Sequence, residues 1–150
     1  MLLAFSNQEP FATGAANYYY NPIPGSDTSA RIILPVLVEG EFTSAVVDTA
    51  APFLVCSTEL AVTIGFDPSY ALGPHILNIR GYRVRGSLHR VELALLATTG
   101  IDLPVDVTAF VPYPDEPSDF PSFLGFWGCL ERIRFAVDPS TSMFYFGPHP

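Results

Sequence analysis

The sequence predicts an all-β domain, because short apolar runs with a period of two are separated by turn signals at short intervals. Seven or so such runs occur in 150 residues, and one apolar pattern with helical spacing lies late in the chain. Strands of this length and spacing are typical of a small barrel or sandwich. Apolar residues make up 49% of the chain and charged residues 15%, a balance that indicates a folded rather than a disordered protein.

The formal charge narrows the classes of partner. A net charge of −8 argues against nucleic acid and against an anionic membrane surface. The start MLLAFSNQEP has no basic segment, and its apolar run is too short for a signal peptide or a membrane span, so we expect a cytoplasmic protein. The histidines and cysteines lack the spacing of a metal site. The sequence therefore predicts no metal and no other cofactor.

The first 30 residues differ from the rest of the chain. Residues 1–30 show no sustained period and contain the turn signals Asn21-Pro22 and Pro24-Gly25, which predicts an arm or loop ahead of a domain over residues 31–150. The tyrosines Tyr18–Tyr20 allow such an arm to pack against that domain.

A β-hairpin opens the predicted domain. Two runs rich in Val and Ile, Ile32–Val38 and Phe42–Val47, are joined at Glu39-Gly40-Glu41, where glycine supplies the positive φ that tight hairpin turns need. Pro35 cannot donate to a ladder, so it predicts an edge position or a bulge.

The second of these runs ends at an aspartate. Asp48 is followed by Thr49, Ala50 and Ala51 before a new strand begins near Phe53. Burying an unpartnered carboxylate costs several kcal/mol, so Asp48 needs compensating partners or an edge position. The alternative to a functional role is a turn aspartate that caps its own loop. Ser57, a little further on, is placed to cap one helical turn.

A long antiparallel hairpin with one solvated face is predicted over residues 75–97. Apolar and polar residues alternate on both sides of Gly81 and Gly86. We expect His89, at its base, to be an exposed strand residue.

The rest of the chain predicts a strand, a surface loop, a helix and two further strands. In order, these are Val105–Val111, the acidic Pro112–Asp119, the helical spacing of Phe126, Cys129, Leu130 and Ile133, and the strands Arg134–Val137 and Met143–Phe146. Cys56 and Cys129 either pair or are two small buried residues, and the second interpretation is favoured because the pair is sparse.

Two motifs carry a resemblance to a known family. Asp48-Thr49-Ala50-Ala51 at the end of an apolar strand, followed by a strand, a glycine-containing hairpin and Phe123-Leu124-Gly125, resembles the retropepsin-like aspartic proteases. Leu130–Arg134 and Val137–Pro139 resemble the helix-to-strand ending of bacterial members. The likeness covers roughly residues 31–146. It implies a closed acid-protease barrel with one helix in the C-terminal half and a flap hairpin.

The resemblance also implies an activity. In this family the aspartate faces its twin across the axis of a homodimer, and the two carboxylates share one proton and activate a water. Asp48 is thus the implied catalytic residue of an aspartic endopeptidase that cleaves extended peptides or unfolded proteins without a metal or cofactor. Thr49 is expected to brace the loop across the axis.

Further residues receive roles from the same resemblance. The flap is expected around residues 78–87. The residues expected to form the flap or face substrate are Gly81, Tyr82, Val84, Gly86 and Leu88. The residues expected to support the catalytic loop are Phe123, Leu124 and Gly125.

The sequence departs from the family pattern at three positions. Ala50 stands where the family has glycine, and a methyl group there costs about 1 kcal/mol or more if positive φ or a close approach is needed. Pro52 and Phe126 replace both members of a retroviral ion pair, so no charge is left unpaired. Ala50 favours the alternative of an inactive retropepsin-like module for peptide binding or dimerisation. A small β-barrel unrelated to proteases is the third possibility.

Overall fold

Two β-sheets and one short α-helix make up the fold. The computed structural model describes residues 2–23, 29–116 and 119–150. The strands are β1 (Gly14–Asn17), β2 (Tyr19–Pro22), β3 (Ala30–Val38), β4 (Glu41–Val47), β5 (Leu54–Val55), β6 (Gly73–Ile79), β7 (Tyr82–Leu95), β8 (Thr99–Gly100), β9 (Leu103–Pro112), β10 (Ser122–Leu124), β11 (Ile133–Asp138) and β12 (Met143–Pro148). The helix is α1 (Thr58–Ile64), and single 3₁₀ turns cover Pro68–Tyr70 and Leu130–Arg132. The all-β prediction is confirmed.

The larger sheet carries most of the chain. Its eight strands follow the order β2-β3-β4-β10-β5-β9-β7-β6, and β3 also pairs with β7 through Val36–Val38 and Leu93–Leu95. This sheet therefore curls so that strands far apart in its order meet. The second sheet has four strands in the order β11-β12-β1-β8.

The first hairpin forms as predicted. Strands β3 and β4 pair in antiparallel register, and the turn residues Glu39 and Gly40 have φ of 48° and 78°. Along one edge of β3, β2 pairs with the strand as far as Ile33 and β7 pairs with it from Val36. Pro35 lies in the gap between these two pairings, where its missing amide proton costs no ladder hydrogen bond.

The segment expected as an arm or loop contains two strands. β1 pairs with both β12 and β8, and β2 pairs with β3. The β1 sequence lacks an alternation of large apolar and polar residues because the strand is packed too closely for large side chains. A Cβ on Gly14 would lie 2.3 Å from the Ile101 carbonyl oxygen and 2.6 Å from the Phe146 ring. Tyr18 is buried, whereas Tyr19 is exposed.

The α-helix lies in the first half of the chain. The Ser57 hydroxyl accepts a hydrogen bond from the Leu60 amide, as its predicted capping role requires, and Gly65 ends the helix with φ of 72°. The prediction of one helix in the C-terminal half is wrong.

A residue with a left-handed backbone conformation interrupts the helix predicted late in the chain. Gly128 has φ of 78°, and beyond it only the 3₁₀ turn at Leu130–Arg132 forms. The amides of Leu130 and Glu131 donate to carbonyls five residues back, at Gly125 and Phe126. The apolar spacing read as a helix therefore belongs to a wide turn.

The hairpin of β6 and β7 turns at Arg80-Gly81, and below it β7 continues along β9. His89 is buried on β7, so its expected exposure is wrong. Its imidazole lies 4.8 Å from the Phe66 ring centroid, and its Nε2 is 2.9 Å from the Ser87 hydroxyl. The loop that contains Phe66 packs over β7 and covers the strand face that the alternation of apolar and polar residues had predicted to be exposed to solvent.

Two clusters of buried side chains fill the core. The larger one lies between the sheets and includes Cys56 and Cys129, which are free thiols. Burial raises the pKa of each thiol to about 12. The smaller cluster lies beneath the hairpin of β6 and β7 and consists of Phe53, Val55, Ile79, Val84, Phe110 and Phe120.

Two predicted features lie wholly or partly outside the residues that the structure describes. The turn at Pro24-Gly25 lies outside the described residues, as do residues 117–118 of the acidic loop. The described part of that loop, residues 113–116, forms a turn after β9. Among the residues that the structure describes, no helix has the length and apolar character to cross a membrane.

Candidate active site

Strand pairing places Asp48. β4 runs parallel to β10, with Val47 opposite Leu124, and the Asp48 amide donates to the Leu124 carbonyl oxygen at 3.0 Å. Asp48 is therefore the first residue after β4, fixed at the edge of the core and half-buried.

The loop residues orient the carboxylate. The Ala50 amide donates to Asp48 Oδ1 at 3.0 Å, and the Ala51 amide donates to the Asp48 carbonyl oxygen at 3.1 Å. One carboxylate oxygen is thus held by its own turn. Thr49 lies exposed beside it, without a hydrogen bond from its hydroxyl to any described residue.

The backbone at Ala50 is ordinary. Positive φ values occur nearby at Phe53 and Gly128, whereas Ala50 has none. Ala50 is also exposed. Within one chain, its methyl group therefore meets neither of the conditions under which glycine would be needed.

Gly125 locks the Asp48 loop to the segment after β10. Its amide donates to the Phe53 carbonyl oxygen at 2.7 Å, and the next amide, from Phe126, donates to the Ala51 carbonyl oxygen at 2.7 Å. A Cβ at position 125 would lie 2.3 Å from the Phe53 oxygen and 2.6 Å from the Ala51 oxygen. Such a close approach of two backbones requires glycine. Phe123 and Leu124 precede it on β10, so all three predicted support residues border the loop.

A cavity of about 340 Å³ opens beside Asp48. It is bordered by the Asp48 loop, the start of β3 and the tip of the hairpin. Its lining residues are Ile23, Arg31, Asp48, Ala50, Ala51, Pro52, Val55, Leu77, Asn78, Ile79, Arg80 and Phe123. The hairpin tip and the aspartate therefore share one cavity, an arrangement suited to holding an extended chain over a carboxylate.

The predicted flap residues occupy different surroundings. Gly81 lies in the hairpin turn with φ of 82°, and Tyr82 beside it is 64% exposed. Val84 is buried in the smaller cluster, Leu88 packs against that cluster, and a Cβ on Gly86 would lie 2.3 Å from the Val111 carbonyl oxygen. These three pack beneath the hairpin, away from the cavity.

The cavity contains residues that the sequence analysis did not name individually, although Ile79 and Arg80 lie within the predicted flap range. Leu77, Ile79 and Arg80 come from the outgoing strand and the turn, and Arg31 comes from the start of β3. The alternation in HILNIR, just ahead of Gly81, was an available signal for the first two. Nothing local indicated Arg31, because its place depends on how the large sheet curls.

A solved structure shares this architecture. The crystal structure of a retropepsin-like aspartic protease from Rickettsia conorii matches with a TM-score of 0.55 and 18% sequence identity, over 89% of each chain. The chain has a retropepsin-like fold. The resemblance inferred from the Asp-Thr-Ala-Ala and Phe-Leu-Gly motifs is thus confirmed at the level of the fold.

The retropepsin-like fold gives the site its context. No protein-family model and no curated protein sequence matches the chain. At this identity the match concerns the arrangement of strands, so the roles of individual residues depend on the geometry around Asp48.

Proposed function

We propose that the protein is an aspartic endopeptidase in which Asp48 from two copies of the chain activates a water molecule. The observation that carries this proposal is the cavity shared by Asp48 and the hairpin tip within a retropepsin-like fold. The orienting bond from the Ala50 amide supports it, because a general base needs a fixed direction.

The chemistry needs two carboxylates. One ionised carboxylate removes a proton from water, the resulting hydroxide attacks the peptide carbonyl carbon, and the second carboxyl group, which is protonated, donates its proton to the carbonyl oxygen. The C–N bond then breaks as the nitrogen takes the proton held by the first carboxyl and leaves as an amine. A hydroxyl of the tetrahedral intermediate returns its proton to the second carboxylate, which restores the pair. One chain contributes one such group, and symmetric pairing of two Asp48 loops supplies the second. The exposed Thr49 and Ala50 leave this face of the loop open for a partner copy.

The substrate proposed is an extended peptide or an unfolded protein segment. β6 is the last strand of the large sheet, so no described strand pairs with its outer edge, and its residues Leu77–Ile79 line the cavity. A peptide that adds along such an edge gains main-chain hydrogen bonds and presents alternate side chains to pockets. Leu77 and Ile79 favour apolar side chains at the cut.

The alternative is an inactive module that binds peptides or dimerises through the same loop. Ala50 is the feature that favours it, because a methyl group that one chain accommodates can still obstruct a second loop across a two-fold axis.

Peptide digestion tests the proposal. The protein is incubated with an unstructured peptide library between pH 3 and 7, beside Asp48→Asn and the matched control Asp106→Asn, which removes an exposed carboxylate outside the cavity. We expect cleavage by the wild type and the control and none by Asp48→Asn. Equal cleavage by all three samples would overturn the proposal.

Two further measurements distinguish the inactive module from the active peptidase. If the wild type cleaves nothing but Ala50→Gly does, the methyl group is the obstacle and the natural chain is the inactive module. Sedimentation velocity of the same samples decides whether a dimer forms, and an active protein that stays monomeric would exclude the paired-carboxylate mechanism.

A further inference from the structure

The cavity beside Asp48 contains a guanidinium group on the hairpin tip, in a protein that is acidic as a whole. Among the described residues that line the cavity, Asp48 is the acidic one, and Arg31 and Arg80 are the basic ones. The chain has 15 acidic and seven basic residues in total.

Arg80 keeps its charge available. Its guanidinium donates to the backbone carbonyl oxygen of Asp119 at 3.1 Å, a neutral acceptor that orients the side chain without neutralising it. By contrast, Arg85 on the same hairpin forms ion pairs with Glu116 and Asp115. A guanidinium has five N–H donors, so one bond to a carbonyl leaves a pair able to grip a carboxylate.

The hairpin fixes where this charge lies. Arg80 is in the turn, with φ of 52°, at the end of the strand whose residues Leu77–Ile79 also line the cavity. Arg31 reaches the cavity from β3, a separate element of the sheet. Two arginines on different elements therefore border the space next to the reacting carboxylate.

We propose that Arg80 selects substrates that carry an acidic side chain beside the apolar residues at the cut. This inference rests on the proposed peptidase function. In the paired site, two copies of Arg80 would lie near two carboxylates that share one proton. An acidic peptide is repelled by the rest of the protein and attracted at this cleft, so the preference is local and sensitive to salt.

Matched peptides test the preference. A cleaved library peptide is remade with Glu or Gln at each residue beside the apolar pair at the cut, and kcat/KM is measured at pH 6 and low ionic strength. We expect the best Glu peptide to be cleaved about fivefold faster than its Gln partner, as for a partly exposed ion pair. Below pH 4 this ratio should approach one, because the Glu carboxyl, with an ordinary pKa of about 4.3, becomes protonated.

Three variants locate the effect. Arg80→Gln should bring the Glu-to-Gln ratio close to one, and Arg80→Lys should retain part of it. Arg83→Gln is the matched control, because Arg83 is exposed on the same hairpin but does not line the cavity. A ratio of one in the wild type, or an equal loss in Arg80→Gln and Arg83→Gln, would overturn the inference.

A binding measurement separates this inference from the proposed activity. Fluorescence anisotropy gives the affinity of Asp48→Asn for a labelled apolar peptide with a central Glu or Gln. If the wild type cleaves nothing, the peptidase proposal fails, yet tighter binding of the Glu peptide that Arg80→Gln abolishes would still support the acidic preference. Equal binding of both peptides would refute it.

Discussion

At the scale of single residues, one strained backbone position, Phe53, supports the loop that carries Asp48. Phe53 adopts φ of 62° although it is bulky and buried, a conformation that costs about 1–2 kcal/mol. Its amide donates to the Trp127 carbonyl oxygen and its own carbonyl accepts from Gly125, both at 2.7 Å. These two bonds hold the strained residue and thereby the loop that carries the carboxylate.

Replacing Gly125 with alanine should damage both stability and activity. The added Cβ would meet two backbone oxygens, which cannot rotate away as a side chain does. We expect Gly125→Ala to lower the free energy of unfolding by about 2 kcal/mol or more in urea titration. Gly73→Ala is the control, since its Cβ meets no atom within 4 Å and its φ is not positive. Equal stability of the two variants would contradict the interlocked arrangement.

At the scale of elements, the hairpin of β6 and β7 links the cavity to the interior. Its tip is tied to the acidic loop by Arg80 and by the ion pair of Arg85 with Glu116, and its base contains the buried His89. Because the tip is exposed and the base is packed, we expect the tip of this hairpin to open more readily than its base.

The base of the hairpin should make stability depend on pH. Burial lowers the pKa of His89, so the imidazole stays neutral in the folded protein while the unfolded chain takes up a proton below about pH 6.5. The unfolded state then binds more protons, and the free energy of unfolding should fall as the pH drops from 7 to 5.

Two variants test the origin of that slope. Urea titrations at several pH values should show a smaller slope in His89→Gln. Ser87→Ala removes the hydrogen bond to Nε2 but keeps the buried imidazole, so its slope should persist. An unchanged slope in His89→Gln would assign the pH dependence to other groups.

At the scale of the whole molecule, the larger core cluster brings together distant parts of the chain. Cys56 follows the Asp48 loop and Cys129 follows Gly125, and both are buried in this cluster. Burial is the main cause that raises both pKa values to about 12, and the nearby Cys129 raises that of Cys56 further. The two thiols therefore report on global unfolding rather than on local chemistry.

Alkaline pH should destabilise the fold through these thiols. Between pH 9 and 12 the unfolded chain loses thiol protons that the folded protein retains, so the free energy of unfolding falls as the pH rises above about 9. We expect a loss of roughly 1.5–2 kcal/mol per thiol between pH 7 and 10. Denaturant titrations of Cys56→Ala and Cys129→Ala should each show a smaller loss. Equal losses in all three proteins would assign the effect to the tyrosines.

Local patterns determined much of this protein in advance. The all-β class, the turn at Glu39-Gly40, the cap at Ser57 and the hairpin over residues 75–97 follow from period, turn chemistry and capping, which act over a few residues. The ordered motifs around Asp48 and Gly125 indicated the fold that the similar crystal structure confirms.

Tertiary structure decided what depends on partners distant in sequence. The small residues of β1 form a strand because they pair with β12 and β8. A turn forms in place of the predicted late helix because Gly128 has a left-handed backbone conformation. The curl of the large sheet placed Arg31 beside Asp48, and the packing of Phe66 buried His89. Hydrogen bonds and contacts between distant segments leave no period in the sequence, so only the folded chain shows which residues surround the carboxylate.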